Sequence, residues 1–204
     1  MAEPKKTRDP MEVLEKPQRD IISLMDEVHL FADLNLRERG ALAEIAEVVR
    51  CPGGDTVVFE PGEEGRHLYC VIKGRLEVRA TIGTGLTHTV REVGPGHTAA
   101  IDVVLTQTPH HMTCYAVETM AGLRFHAAKL HQLLSIGTPA AIKLFAAMRA
   151  ELGADTRDVT LHVVKLLSEA SRHSGFGAPV SSPGLGGTVV ESIAISGGNQ
   201  TGRK

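Results

Sequence analysis

Hydrophobic and polar positions along the chain change period several times, and each change marks a different kind of element. From Asp20 to His29 the apolar residues Ile21, Ile22, Leu24, Met25 and Val28 fall at helical spacing, which predicts a short amphipathic helix. The stretch HLFADLN then reads as a bend. Asn35 can cap a second helix whose apolar positions Leu36, Ala41, Leu42, Ile45, Ala46 and Val49 recur at three and four, until Pro52 and Gly53 stop it. Between Thr56 and about Phe125 the pattern shifts to period two or to short apolar runs, interrupted at Pro61-Gly62, Lys73-Gly74, Gly83-Thr84-Gly85 and Pro95-Gly96. That spacing predicts strands near 56–60, 67–72, 74–81, 87–93, 113–119 and 121–126. Many short strands with regular turns make a barrel-like roll rather than a parallel sheet.

Helix returns from Ala127 to Ser135 and breaks at Gly137-Thr138-Pro139, where Thr138 is placed to cap and Pro139 to open the next helix. That helix, Ala140 to about Arg172, is long. Leu144, Met148, Leu152, Val159, Val163, Leu166 and Ala170 form a seam for a partner or for the chain's own domain, weakened midway by Gly153 and Asp155. Residues 173–204 are rich in Gly, Ser and Pro and read as a flexible tail, with one apolar segment, 188–196, shaped like a docking peptide. Residues 1–17, charged and carrying Pro4, Pro10 and Pro17, read as a flexible leader. The domain itself is expected over 18–152, with 153–172 continuing the last helix.

Composition narrows the function. The chain has 204 residues, enough for one core with extensions, and a formal net charge of −2. Acidic and basic residues nearly match, so there is no broad electrostatic footprint for nucleic acid or an anionic membrane. No apolar run approaches a membrane span and the N-terminus lacks an apolar signal core, so a cytoplasmic protein is expected. Cys51, Cys70 and Cys114 are widely spaced with no Cys-x-x-Cys pair and are expected to be reduced.

Four pieces in register now carry a resemblance. They are LFADLNLRERGALAEIAE; Val58-Phe59-Glu60-Pro61-Gly62; His67-Leu68-Tyr69-Cys70-Val71-Ile72-Lys73-Gly74; and Val93-Gly94-Pro95-Gly96. From about Leu30 to Leu152 the chain resembles the cyclic-nucleotide-binding domain family. The resemblance implies an α+β, mainly β fold: a jelly-roll β-barrel with flanking helices and a long C-terminal helix. It also implies a phosphate-binding cassette after Gly96, in which Phe-Gly-Glu follows the turn and an arginine with a small polar residue follows a short helix. There helix amides and the arginine hold the cyclic phosphate, and the glutamate holds the ribose.

The cassette departs from that pattern. Ala99-Ala100-Ile101 stands in the Phe-Gly-Glu place and Asp102 is one residue late, which on a helix turns its carboxylate by about 100°. The arginine place falls on His110 or His111, with His111 or Met112 after it. Ile101 accepts no hydrogen bond, and a histidine with a pKa near ~6.5 offers neither the permanent charge nor the fork of arginine. The expected ligand-binding set is therefore Gly96, Ala99, Ala100, Ile101, Asp102, His110, His111 and Met112, with cyclic-nucleotide binding lost or altered.

Other chemistries find less support. His67, His88, His97, His110, His111 and His126 fall within the roll, and Gly62, His67, Gly74, Pro95, Gly96 and His97 mimic part of a cupin metal layout. Tyr69, however, replaces the second histidine of the required His-x-His, and His110-His111 are expected in an exposed loop. No metal site is assigned. Gly83-Thr84-Gly85 joins two strands and reads as a hairpin turn rather than a phosphate loop. No Gly-x-Ser-x-Gly elbow is present. The sequence after Arg172 is too short and too Gly-Ser-rich for a winged helix-turn-helix, so no direct sequence-specific DNA binding is expected.

The reading is a non-catalytic regulatory or adaptor module. It would act through a protein partner, or through a homodimer made by the 140–172 helix, without a cofactor. The principal alternative is a cyclic AMP or cyclic GMP receptor with a non-standard cassette, using His110 or His111 on the phosphate and Asp102 on the ribose. A cupin-like metal enzyme is the third.

Overall fold

The computed structural model describes residues 9–82 and 85–173. By internal contacts the chain divides into Met1–Leu167 and Ser168–Lys204, and of the second unit only the residues to His173 are described. Gly83, Thr84 and the segment 188–196 lie outside the described residues.

Among the described residues, nine strands and five α-helices follow in chain order. They are β1 (Glu12–Leu14), α1 (Gln18–Met25), a 3-10 turn (His29–Phe31), α2 (Leu36–Ala43), β2 (Ala46–Cys51), β3 (Thr56–Phe59), β4 (His67–Lys73), β5 (Leu76–Ile82), β6 (Leu86–Val93), β7 (Thr98–Ala99), α3 (Ile101–Thr106), β8 (Thr113–Ala116), β9 (Met120–His126), α4 (Ala127–Ser135) and α5 (Pro139–His173). They form two antiparallel sheets, ordered β1-β2-β9-β4-β7 and β3-β8-β5-β6. β5 and β6 pair antiparallel from Leu76↔Val93 to Ile82↔Leu86.

The apolar runs sort into two cores. Between the sheets lie Val49, Phe59, Tyr69, Val71, Leu76, Val93 and Met120, among others. Between the first sheet and the helices lie Met25, Phe31, Leu42, Leu68, Cys70, Ile72, Leu123, Phe125, Leu144 and Met148. Strand β4 serves both, because Leu68, Cys70 and Ile72 face the helices while Tyr69 and Val71 face the roll interior. This double burial explains why residues 68–72 read as an unbroken apolar run instead of an alternation.

Two expectations fail here. The second helix stops at Ala43 instead of running to Pro52, and Ala46–Cys51 is strand β2, paired with β9 from Ala46↔Phe125 to Cys51↔Met120. Its spacing at three and four was real but short, and pairing overrode it: Val48 reaches the helix-side core while Val49 and Cys51 reach the roll interior. The helix that remains is well started. Asn35 and Glu38 form a reciprocal capping box, with Glu38 N–H donating to Asn35 Oδ1 at 2.9 Å and Asn35 N–H to Glu38 Oε2 at 2.8 Å. The flexible leader expected over 1–17 also gives way within the described residues. Glu12–Leu14 pairs with β2, Met11 is buried in the roll, and the Asp9 carboxylate accepts from Arg124 at 2.5 Å. Arg124, itself buried, is held from the other side by Glu47 at 2.7 Å, so a paired charge anchors the N-terminal segment.

Helix α5 is continuous from Pro139 to His173, through Gly153. Among the described residues no helix is long and apolar enough to cross a membrane.

Turn glycines give a direct check. Gly62 and Gly74 both have positive φ, +85° and +80°, but a Cβ at Gly62 meets nothing within 4 Å whereas one at Gly74 would sit 2.2 Å from the Thr119 carbonyl oxygen. Gly62→Ala is expected to cost about 1 kcal/mol, for the left-handed backbone alone. Gly74→Ala should cost clearly more, about 2 kcal/mol or above, since the Thr119 backbone must also move. Urea unfolding of both variants compares them.

Candidate functional site

The turn Gly94-Pro95-Gly96 is built into the roll by backbone bonds. Gly96 N–H donates to the Val71 carbonyl at 2.9 Å, Val71 N–H to the His97 carbonyl at 2.9 Å, and His29 N–H to the Gly96 carbonyl at 3.0 Å. Gly96 has φ +87°, and a Cβ there would press on the His29 ring at 3.0 Å. The two residues of β7 then pair with β4, Tyr69↔Ala99 and Cys70↔Thr98. Ala100 turns the chain into α3 with φ 69° and ψ 32°, a left-handed conformation that a side chain resists by about 1 kcal/mol.

Helix α3 is pinned on two sides. Ile101 and Val104 are buried in the helix-side core, while Val103, fully buried, joins the roll interior with Ala99 and Ala100. Val103 also lies against Gly65, where a Cβ would come within 1.7 Å of its Cγ1. Asp102 is half-buried between these two faces. The one-residue offset thus separates Ile101 and Asp102 as helical geometry requires, and Ile101 is a core residue.

The histidine pair also separates. His111 is exposed, as expected of a loop, but His110 is only 5% exposed, which corrects its placement in an exposed loop. Its ring stacks on Phe59 with centroids 3.7 Å apart and planes 9° from parallel, and Phe59 in turn stacks on Tyr69 at 6.2 Å. Backbone bonds hold it there, His110 N–H to the Glu63 carbonyl at 2.9 Å and Gly62 N–H to the His110 carbonyl at 2.8 Å. Burial lowers the pKa of His110, and the Asp102 and Glu63 carboxylates oppose that shift. Met112, half-buried, packs against the roll interior. The structure therefore gathers Ala99, Ala100, His110 and Met112 along the roll interior, places Ile101 in the other core, and leaves Asp102 and His111 at the margin.

Elsewhere the reactive groups are quiet. Burial pushes the Cys51 thiol up to about 11 and the Cys114 thiol up to about 12, and raises Cys70 as well, so all three are poor nucleophiles near neutral pH. Among the described residues no group of three or more His, Cys, Asp or Glu side chains is placed to hold a metal ion.

One partner of the site has no counterpart in the sequence reading. Glu151 of α5 accepts from both the backbone N–H of Thr98 at 2.9 Å and its hydroxyl at 2.8 Å. The available signal was the spacing Leu144, Met148, Glu151, Asp155, which continues the packing face of α5 with carboxylates where apolar residues end.

Comparisons with known proteins agree with this fold. Residues 50–136 match the sequence model described as "Cyclic nucleotide-binding domain". No curated protein matches the chain. A cyclic nucleotide-binding domain from Methylobacillus flagellatus superposes with a TM-score of 0.65 at 19% identity, covering 76% of this chain and 89% of that one. A cAMP-bound mutant regulatory subunit of a cAMP-independent protein kinase A from Trypanosoma brucei gives 0.60 at 15% identity, covering 73% of this chain and 51% of that chain, so this chain spans about half its length. The N-terminal domain of a transcriptional regulator from Streptomyces coelicolor gives 0.52 at 19% identity, covering 76% and 95%.

The histidines carry a pH prediction. His67, beside Arg124 and His126, has its pKa lowered to about 4, burial being the largest cause. It is held neutral in the folded chain, so its contribution to stability is complete above the unfolded histidine value of ~6.5 and is lost as pH falls from there toward about 4. The melting temperature should fall across that window, and His67→Phe should flatten the fall. An identical pH profile in that variant would remove His67 from the account.

Proposed function

We propose that the chain, whose residues 50–136 match the cyclic nucleotide-binding domain model, is a non-catalytic regulatory or adaptor module in which cyclic-nucleotide binding is lost or altered and which acts through protein contacts. The observation that carries this reading is the stacking of His110 on Phe59 at 3.7 Å. By the family pattern the arginine that neutralises the cyclic phosphate belongs at His110 or His111. His110 is turned into the roll against an aromatic ring, in surroundings that favour its neutral form, and His111 is exposed. An anion at this place would lose the fixed positive charge and the two-pronged hydrogen bonding that arginine supplies.

The ribose side supports the same reading. Ile101, in the glutamate place, is 2% exposed and faces Val104 and the helices rather than the roll. For protein contacts, α5 offers two exposed apolar patches, Ile142 with Phe145 and Leu161 with Val163 and Val164, to a second copy or another protein. Related folds serve as a kinase regulatory subunit in Trypanosoma brucei and in a transcriptional regulator of Streptomyces coelicolor, in keeping with a regulatory role. One observation favours the receptor alternative: Asp102 and Glu63 both pull the His110 pKa upward, so a bound phosphate could add to them and protonate the ring.

Calorimetry with cyclic AMP and cyclic GMP near pH 6 and near pH 8 separates the two. No heat at either pH is expected. Tight binding at both overturns the proposal, and binding confined to the lower pH selects the protonated-histidine receptor. Restoring the family's glutamate should not rescue binding either. Ile101→Glu places an unpaired carboxylate in the helix-side core and is expected to cost about 3 kcal/mol or more in unfolding free energy, with no gain in nucleotide affinity.

A further inference from the structure

The segment ahead of α1 carries an acid at Asp9, a long unbranched apolar side chain at Met11 and another apolar residue at Leu14. Each has its own seat on the domain. Met11, 7% exposed, belongs to the roll-interior core, and Leu14 packs against the helix-side core. Asp9 takes one corner of a guanidinium: Arg124 Nη1 donates to Asp9 Oδ2 at 2.5 Å, while its Nε and Nη2 donate to Glu47 Oε2 at 2.9 and 2.7 Å. Between these anchors the backbone adds the ladder Glu12↔Arg50, Val13↔Val49 and Leu14↔Val48.

The receiving surface is longer than the strand that lies on it. All six residues of β2 pair with β9 on one side, yet on the other the ladder to β1 covers only Val48–Arg50. Pairing ends there because the chain must turn at Pro17 to start α1, through Glu15 and Lys16, which are exposed. The strand is also lightly held. Val13 is 51% exposed, and the Asp9 carboxylate is half-exposed. Arg124 is the opposite case: it is buried, and without Asp9 its Nη1 corner would face the vacated place with Glu47 as its one remaining partner. A buried guanidinium corner selects a carboxylate, and an unpaired sheet edge selects extended backbone.

We propose that the edge of β2, with Arg124 and the seat of Met11, is a docking groove for an extended strand of another protein, and that residues 9–14 are its resident stand-in. The stand-in shows the chemistry the groove accepts. An incoming strand needs a carboxylate for Arg124, a long apolar side chain two residues later, and a further apolar residue three after that. A strand that runs on without turning can pair with Glu47 and Ala46 as well, which the resident segment does not do. The N-terminal segment of a second copy turns at the same proline and gains nothing over the one in place, so the partner is a different protein. The inference rests on the reading that the chain acts through protein contacts, and supplies a surface and a kind of partner for it. Its test contains no nucleotide, so it can fail while the calorimetric result stands.

Fluorescence anisotropy of labelled synthetic peptides against the full chain reads the groove. A peptide of residues 9–16, which lacks Pro17, should bind about fivefold more tightly than one of residues 9–14, because it can extend the ladder. Its affinity should rise about tenfold when the resident segment is weakened in the chain, by Met11→Ala or by Asp9→Asn, since the closed groove competes with the peptide. The Asp9→Asn chain keeps Met11 in place, so the comparison survives a folding defect in the other variant. Within the peptide, Asp9→Asn and Met11→Ala should each weaken binding about tenfold. No binding to any of the three chains overturns the groove. Equal affinity for wild-type and weakened chains overturns the stand-in, and equal affinity of the Asp9→Asn peptide removes Arg124 as its anchor. A wild-type dimer that the 9–16 peptide disperses, read by sedimentation, would give the groove to a second copy and overturn the assignment to a different protein.

Discussion

Strand β4 has no face left for water, and most of the architecture follows from where its side chains must go. Leu68, Cys70 and Ile72 require helices on one side; Tyr69 and Val71 require a second sheet on the other. At about 1.5–3 kcal/mol for each large apolar side chain buried, no arrangement that exposes either face competes. The backbone of β4 must be paired as well, since unpaired groups at such depth cost about as much as a lost hydrogen bond. It is paired with β9 along its length and with β7 where the cassette begins. The segment that starts at β7 is therefore suspended from a strand buried on both faces.

The segment from Gly96 to Met112 follows a consistent physical logic. Unsatisfied polar groups at this depth would stand at a cost. Its positions carry groups that satisfy one another. Ile101 adds to the helix-side core, Val103 and Ala99 to the roll, and His110 stacks on Phe59 while its backbone is bonded to Gly62 and Glu63. Even the exposed edge of β7 is closed from within, by Glu151. Ala100 at the start of α3 and Gln107 at its end both take left-handed backbone, and Ala100 is held there by the burial of its neighbours on both sides.

Polar interactions take over where the apolar ones end. The N-terminal segment is fastened by Arg124 between Asp9 and Glu47, and α5 beyond Met148 by Arg91 with Asp155 and Glu151. Both clusters stand on the roll and reach for segments that contribute few core residues. A buried apolar contact varies little with conditions, whereas a desolvated charge responds to pH and to neighbouring charge. The fold thus combines an insensitive centre with attachments that can be tuned.

Much of this was legible along the chain. The alternation from Thr56 onward, the turn glycines, the capping residue Asn35 and the long seam of α5 are local properties, governed by side-chain periodicity and backbone strain that each segment carries with it. They determined the class of fold and the order of most of its elements from Thr56 onward. Only the tertiary structure decided the rest. Ala46–Cys51 became strand because β9 lay beside it, His110 turned inward because Phe59 offered a face to stack on, and Glu151 found Thr98 across 53 residues. In each case the deciding partner is distant in sequence, and pairing, stacking and charge satisfaction depend on what the folded chain brings within about 4 Å, which no local pattern records.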